Sequence, residues 1–286
     1  MVFLFRMLAF LPLPVLHNLG ALLGWVVWLA SPTYRRHARE TIARAGLADQ
    51  PAALRASIAE AGKAVAELPK IWLRPQSEAV GRVEGVEGWE FVEAARAAGR
   101  GVIYLAPHMG CFEIIGQYLA ATPSADGSLH PFTALYRKPR QDWLDQLMQI
   151  GRGSRFQLAP ADLSGVRRLI KALKQGQATA ILPDQVPGKG EGIWAPFFGR
   201  PAYTMTLAAK LAETGATVLM TYAERLHYGA GYRIHFLPLS QPLTGDLEAR
   251  VGQLNGEVEN TIRRCPDQYL WGYNRYKRPS GAPPPP

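Results

Sequence analysis

Residues 101–121 read GVIYLAPHMGCFEIIGQYLAA, and the architecture of the chain follows from how that stretch is parsed. The apolar run from Val102 to Ala106 stops at Pro107, and apolar residues at helical spacing resume from Cys111. A buried strand leading straight into a helix is a unit of an α/β sheet. The unit recurs on both sides. GWEFVEAARAAG (88–99) reads as a helix ending at Gly99. Strand FTALYR (132–137) and helix DWLDQLMQIGR (142–152) come next, then helix SGVRRLIKALKQG (164–176). Ser164 suits that helix as N-cap, and Gly176 falls just past its end. Strand ATAILPD (178–184) leads to a glycine-rich loop at Lys189-Gly190-Glu191-Gly192 and a helix, TMTLAAKLAETG (204–215). ATVLMTYAERL (216–226) and YRIHFLPL (232–239) read as longer strands joined in a hairpin across HYGAG, with a last helix from about Asp246 to Arg264. The alternation predicts an α/β fold, a mostly parallel central sheet flanked by helices.

Upstream, TIARAGL (41–47) and PAALRASIAEAGKAVAELPKIWL (51–73) read as two alanine-rich helices. Met1 to Ala30 holds a single charge, Arg6, and Leu19 to Ala30 is continuously apolar, with Arg35, Arg36, His37 and Arg39 close behind. A spanning helix takes about 20 apolar residues. Counted from Phe10 the segment is long enough, though Pro12, Pro14, His17 and Asn18 interrupt its first half. The expectation is an N-terminal membrane-anchoring helix, spanning or half-inserted, with Trp25 and Trp28 suited to the interface. The competing reading is an amphipathic helix capping the domain. A basic flank places the remainder in the cytoplasm, and Ala30-Ser31 makes a poor cleavage site for a signal peptide. The chain divides accordingly into an anchor (1–31), a helical subdomain (32–82), an α/β catalytic domain (83–278) and a proline tail expected to be disordered (279–286).

With 48% hydrophobic and 19% charged residues among 286, the composition is globular and excludes a disordered chain. A net charge of +9 suits nucleic acid, anionic lipid or an acidic partner. The sequence has no zinc-finger spacing, no basic-aromatic RNP-like strand and no heptad zipper, which argues against nucleic acid. Two cysteines, Cys111 and Cys265, make no disulfide framework and point to a reducing compartment with structural thiols. No histidine pair has metal-ligand spacing, so no metal is expected.

Ligands of an open α/β sheet sit beyond the carboxyl ends of its strands. Two polar sets lie there: His108 to Glu113 after the first strand, and Pro183-Asp184-Gln185 after ATAIL. On one regular helix His108 and Glu113 would diverge by about 140°. With His108 in the loop and Glu113 in the first helical turns, the carboxylate can fold back and fix one imidazole tautomer. The other ring nitrogen is then free as a general base toward an incoming hydroxyl. The helix N-terminus would stabilise the oxyanion formed when that hydroxyl attacks a thioester carbonyl. There is no G-x-S-x-G elbow to supply a serine nucleophile. A lone His-x4-Glu is common by chance, and a capping loop histidine is its bland alternative.

The chain resembles the late acyltransferases of lipid A biosynthesis, the lauroyl and myristoyl transferases of the lysophospholipid acyltransferase superfamily. The likeness rests on five ordered blocks: APHMGCFE, ALYRKPRQDWLDQLMQIGR, DLSGVRRLIKALKQGQATAILPDQVPG, APFFGRPAYT and QYLWGYNRYKRP. The resemblance implies His108 and Glu113 as catalytic dyad. It implies a basic residue from the second block, carried as Arg137, Arg152 and Arg155, and an aspartate, Asp184, near the cleft. It also implies a fatty acyl donor on acyl-carrier protein, a lipid A precursor hydroxyl as acceptor, no cofactor, and a place at the cell inner membrane. Ala106 stands where the family pattern often has asparagine, and Tyr273-Asn274-Arg275 where it often ends in a histidine-arginine pair.

Alternatives stay open at each position. Asp184 is either a turn residue or a site carboxylate. The three arginines are either a solvated face or a clamp for phosphates. Arg167, Arg168, Lys171 and Lys174 are either solubilising or a dock for an acidic carrier. Trp194, Phe197 and Phe198 suit the core better than an acyl channel. Other functions also fit the residues: an acyltransferase with another glycolipid or phospholipid acceptor, a membrane-bound thioesterase or hydrolase, or a non-catalytic scaffold.

Overall fold

The computed structural model describes residues 2–47, 51–139, 141–188 and 190–286; Lys189 of the glycine loop lies outside the described residues. The strands are β1 (Val83–Glu87), β2 (Val102–Leu105), β3 (Phe132–Tyr136), β4 (Gln157–Pro160), β5 (Ala178–Ile181), β6 (Gly192–Phe197), β7 (Arg200–Met205), β8 (Thr217–Arg225) and β9 (Tyr232–Pro238). Seven form one sheet in the order β1-β9-β8-β2-β5-β3-β4, and β6 pairs with β7 in a separate hairpin. Every neighbouring pair of the large sheet is parallel except β8–β9, the hairpin expected across HYGAG. The short strands β1 and β4 and the β6–β7 hairpin were not read from the sequence as strands.

Central strand β2 is buried on both faces, which explains its unbroken apolar run. Its side chains alternate between two cores. Ile103 and Leu105 pack with Leu169, Phe197, Leu211 and Ile262, while Val102 and Tyr104 pack with Trp72, Val92, Ile114 and Phe236. Phe197 and Phe198 are core residues.

The helices are α1 (Val2–Leu8), α2 (Leu13–Ala30), α3 (Pro32–Ile42), α4 (Pro51–Ala66), α5 (Leu68–Leu73), α6 (Gln76–Val80), α7 (Trp89–Ala97), α8 (Phe112–Ala121), α9 (Asp142–Met148), α10 (Leu163–Lys174), α11 (Leu207–Ala212) and α12 (Leu247–Arg264). The long second helix expected upstream of the sheet divides into α4 and α5, because Pro69 has no N–H to continue the ladder. The N-cap of α10 is Asp162, two residues before Ser164: its carboxylate accepts from the backbone N–H of both Ser164 and Gly165. Helix α11 starts at Leu207, three residues later than the sequence pattern suggests, because Thr204 and Met205 belong to β7. In the proline tail Ala282 is buried, and the Trp194 indole donates to the Pro283 carbonyl at 2.9 Å.

Near the N-terminus, α1 and α2 are separated at residues 9–12, around Pro12. Helix α2 has a mean hydropathy of 1.6 and is long and apolar enough to cross a membrane, with one-third of it buried. Trp28 is not at an exposed interface. It sits in the core edge-on to Tyr34, with the Arg39 guanidinium over its ring.

Candidate active site

Strands β2 and β5 run parallel in register, Leu105 beside Ile181. Three residues beyond each lie His108 and Asp184, so adjacent strand ends deliver an imidazole and a carboxylate to the same place. The Asp184 carboxylate accepts twice from residue 108: from the backbone N–H at 3.0 Å and from Nδ1 at 2.7 Å. Burial pushes Asp184 up, and His108 with its backbone N–H more than offsets this, holding the carboxyl below its usual range. An ionised Asp184 fixes the proton on Nδ1 and leaves Nε2 unprotonated, as an acceptor. The Gln185 amide N–H donates to that Nε2 at 3.1 Å, and the Phe112 ring meets the imidazole edge-on at 5.0 Å.

The loop between His108 and α8 is fixed by close backbone approach. Gly110 donates to the Gln268 carbonyl and Cys111 to that of Ala223. Gly110 has φ +55°, and a Cβ there would lie 1.9 Å from the Ala223 oxygen, so this position takes only glycine. Cys111 and Cys265 are both buried free thiols.

His108 precedes the helix and Glu113 occupies its first turn, as expected, yet the carboxylate does not fold back to the imidazole. Arg152 takes it instead, in a two-pronged ion pair: Nε donates to Oε2 at 2.9 Å and Nη2 donates to Oε1. The Trp72 indole donates to Oε2 at 2.9 Å. The physical reason is geometric: a guanidinium fork matches both carboxylate oxygens at once, and a single ring nitrogen cannot. Burial pushes Glu113 up, but Arg152, Trp72 and His108 hold it below the ordinary range. The place beside the imidazole expected of the Glu113 carboxylate is occupied by that of Asp184.

Of the three candidate arginines, only Arg152 reaches the Glu113 cluster. Arg155 donates to Gln117 Oε1 and to the Arg74 carbonyl, both at 2.8 Å, tying α8 to the chain after α5. Arg137 is exposed and meets Glu191 at 3.4 Å. Trp72 was missed in the sequence, and Gln185 was named there only as a member of the strand-end set. Gln185 stood beside Asp184 in the PDQ block, whereas nothing in the spacing of Trp72 joins it to Glu113.

His108, Asp184 and Gln185 line a cleft of about 330 Å³. Its other walls are Leu23, Gly24 and Val27 of α2, Ala61, Gly62 and Val65 of α4, and Tyr269 and Tyr273 near the C-terminus. A largely apolar cleft ending on an activated imidazole suits an aliphatic substrate whose reacting carbon lies at the polar end.

The sequence model for the bacterial lipid A biosynthesis acyltransferases matches residues 1–278. The chain is 29% identical to the lipid A biosynthesis palmitoleoyltransferase of Escherichia coli K12 over 283 residues, covering 95% of this chain and 88% of that protein. It is 30% identical to the lauroyltransferase of the same organism over 230 residues, 78% and 71% of the two chains. It is also 29% identical to the phosphatidylinositol mannoside acyltransferase of Mycobacterium tuberculosis H37Rv over 209 residues, 71% and 62% of the two chains.

Proposed function

Because the chain belongs to the bacterial lipid A biosynthesis acyltransferase family, we propose that it moves a fatty acyl group from an acyl-carrier protein thioester onto a hydroxyl of a lipid A precursor, at the inner membrane with the site facing the cytoplasm. His108 Nε2 removes the hydroxyl proton as the oxygen attacks the thioester carbonyl. The tetrahedral intermediate collapses with loss of the thiolate, which takes the proton from the imidazolium. Asp184 holds the imidazole in the reactive tautomer and stabilises its cationic form. The Glu113–Arg152 pair braces the first turn of α8 behind the site.

The observation that carries this reading is the divided imidazole, with Nδ1 on a buried carboxylate and Nε2 toward the cleft. Exposed Arg167, Arg168, Lys171 and Lys174 on α10 support an acidic carrier as donor. The mycobacterial relative supports a second reading, in which the acceptor is another glycolipid. The test is acyl transfer by purified protein from radiolabelled acyl-carrier thioester, with lipid A precursor and with other glycolipids offered separately. Transfer to the lipid A precursor alone upholds the first reading, and transfer only to another glycolipid replaces it. Thioester loss without acylated product would make the protein a thioesterase.

A further inference from the structure

An apolar 18-residue helix invites the reading of a membrane span, but both of its ends are bound to the α/β body. At the N-terminal end, the buried Lys70 ammonium of α5 donates to the carbonyls of Ala9 and Leu11 in the α1–α2 turn, at 3.3 and 3.0 Å. One turn into α2, His17 meets Glu67 at 3.1 Å, and Glu67 is itself paired with Arg225 at the end of β8. Gly229, in the β8–β9 turn, lies against Pro14. At the other end, Trp28 is in the core and the Tyr34 ring lies against Gly272.

Between these ends α2 lies antiparallel on α4 with backbones touching. A Cβ on Gly20 would fall 2.6 Å from the Lys63 Cα, one on Gly24 2.1 Å from the Ile58 oxygen, and one on Gly62 1.9 Å from the Gly20 oxygen. If α2 crossed a bilayer, α4 would cross with it, carrying Arg55, Glu60 and Lys63 into hydrocarbon, and Lys70 would have to release the turn. The face of α2 away from α4 is apolar and open. Leu19, Leu22, Val26 and Leu29 are exposed there, continued on α1 by Phe3 and Met7. Arg6, Arg36 and Arg39 are exposed along the same segment and complement anionic headgroups.

We infer that α1 and α2 form an in-plane platform that lays the protein on one leaflet of an anionic phospholipid membrane, without spanning it. Leu23 and Val27 belong both to this exposed segment and to the rim of the cleft, so the cleft opens at the level of the attached leaflet.

Topology labelling tests this without reference to acyl transfer, so its failure is distinguishable from failure of the proposed reaction. Full-length Phe10→Cys and Thr33→Cys proteins are exposed, in sealed inverted inner-membrane vesicles, to a membrane-impermeant maleimide. The two native thiols are buried and give a low background. Both introduced cysteines should react from outside, at rates within about tenfold of each other. Modification of position 10 only after detergent opens the vesicles would overturn the inference. As a second arm, Leu19→Glu/Leu22→Glu alters only the open face. It should shift the protein from membrane pellet to supernatant with its melting temperature in detergent retained. Retention in the pellet overturns the inference, as does recovery of the unaltered chain as a soluble dimer with a second copy on that face.

Discussion

His108 is useful only as a divided ring: a base on one nitrogen needs a fixed proton on the other. Asp184→Asn keeps the size but removes the charge that sets the tautomer, so kcat for acyl transfer should fall roughly 10²–10⁴-fold with little change in melting temperature, and His108→Ala should fall at least as far. Steady-state rates beside thermal melts check both. Glu113→Gln tests the other carboxylate. If it only braces α8, activity loss should follow the loss of fold, and full kcat loss in a protein of unchanged melting temperature would restore Glu113 to the reaction. Removing either partner of the Glu113–Arg152 pair leaves a charge buried alone, which costs roughly 3–5 kcal/mol. Glu113→Gln/Arg152→Met should therefore cost less than the sum of the single changes in a denaturant double-mutant cycle. Gln185→Ala bares Nε2 to water and should raise thioester hydrolysis relative to transfer, measured as free acid per acylated lipid.

The α2–α4 contact predicts its own sensitivity. Gly24→Val would drive a side chain into the Ile58 carbonyl, and overpacking of this kind costs about 1–3 kcal/mol. A lowered denaturation midpoint should accompany it, whereas Gly199→Ala, a φ-strained position with nothing nearby, should cost strain alone. Elements differ in how openly the sequence declares them. β2 and β5 are legible as short, mostly apolar buried runs, β8 and β9 as longer β-rich runs joined across HYGAG, and α10 because its apolar residues recur at helical spacing with Gly176 behind it. β6 and β7 are not, since Pro196 and Pro201 sit in a two-stranded ribbon outside the main sheet, where proline is tolerated. The site was half legible for a related reason. Sequence neighbours suggested His108 and Glu113, but the partner in space comes from the adjacent parallel strand, 76 residues on. Pairing across a sheet is set by register and strand order, which no local spacing records.

Across the whole molecule, one buried cluster joins distant parts: His17 of α2, Glu67 after α4, Arg225 of β8 and Tyr232 of β9. Burial pushes Glu67 up, but Arg225 and His17 hold it far below the ordinary carboxylate range. Glu113 and Asp184 are depressed in the same sense. In the unfolded chain such groups take up protons near pH 4, so the stability they confer is present at neutral pH and drains away as pH falls below that range. Melts taken from about pH 5 down to about pH 2 should show the decline, and Glu67→Gln should start lower at pH 7 and decline less steeply. The cluster also has a temporal side. Arg225 follows His17 by about two hundred residues, and a ribosome adding roughly 5–20 residues per second needs some ten to forty seconds to reach it. For that interval Glu67, the partner of His17, lacks the Arg225 guanidinium that pairs with it, and the sheet end that will receive them does not yet exist. During translation, therefore, α2 and α4 can pair early, while the anchoring of α2 to the sheet comes late.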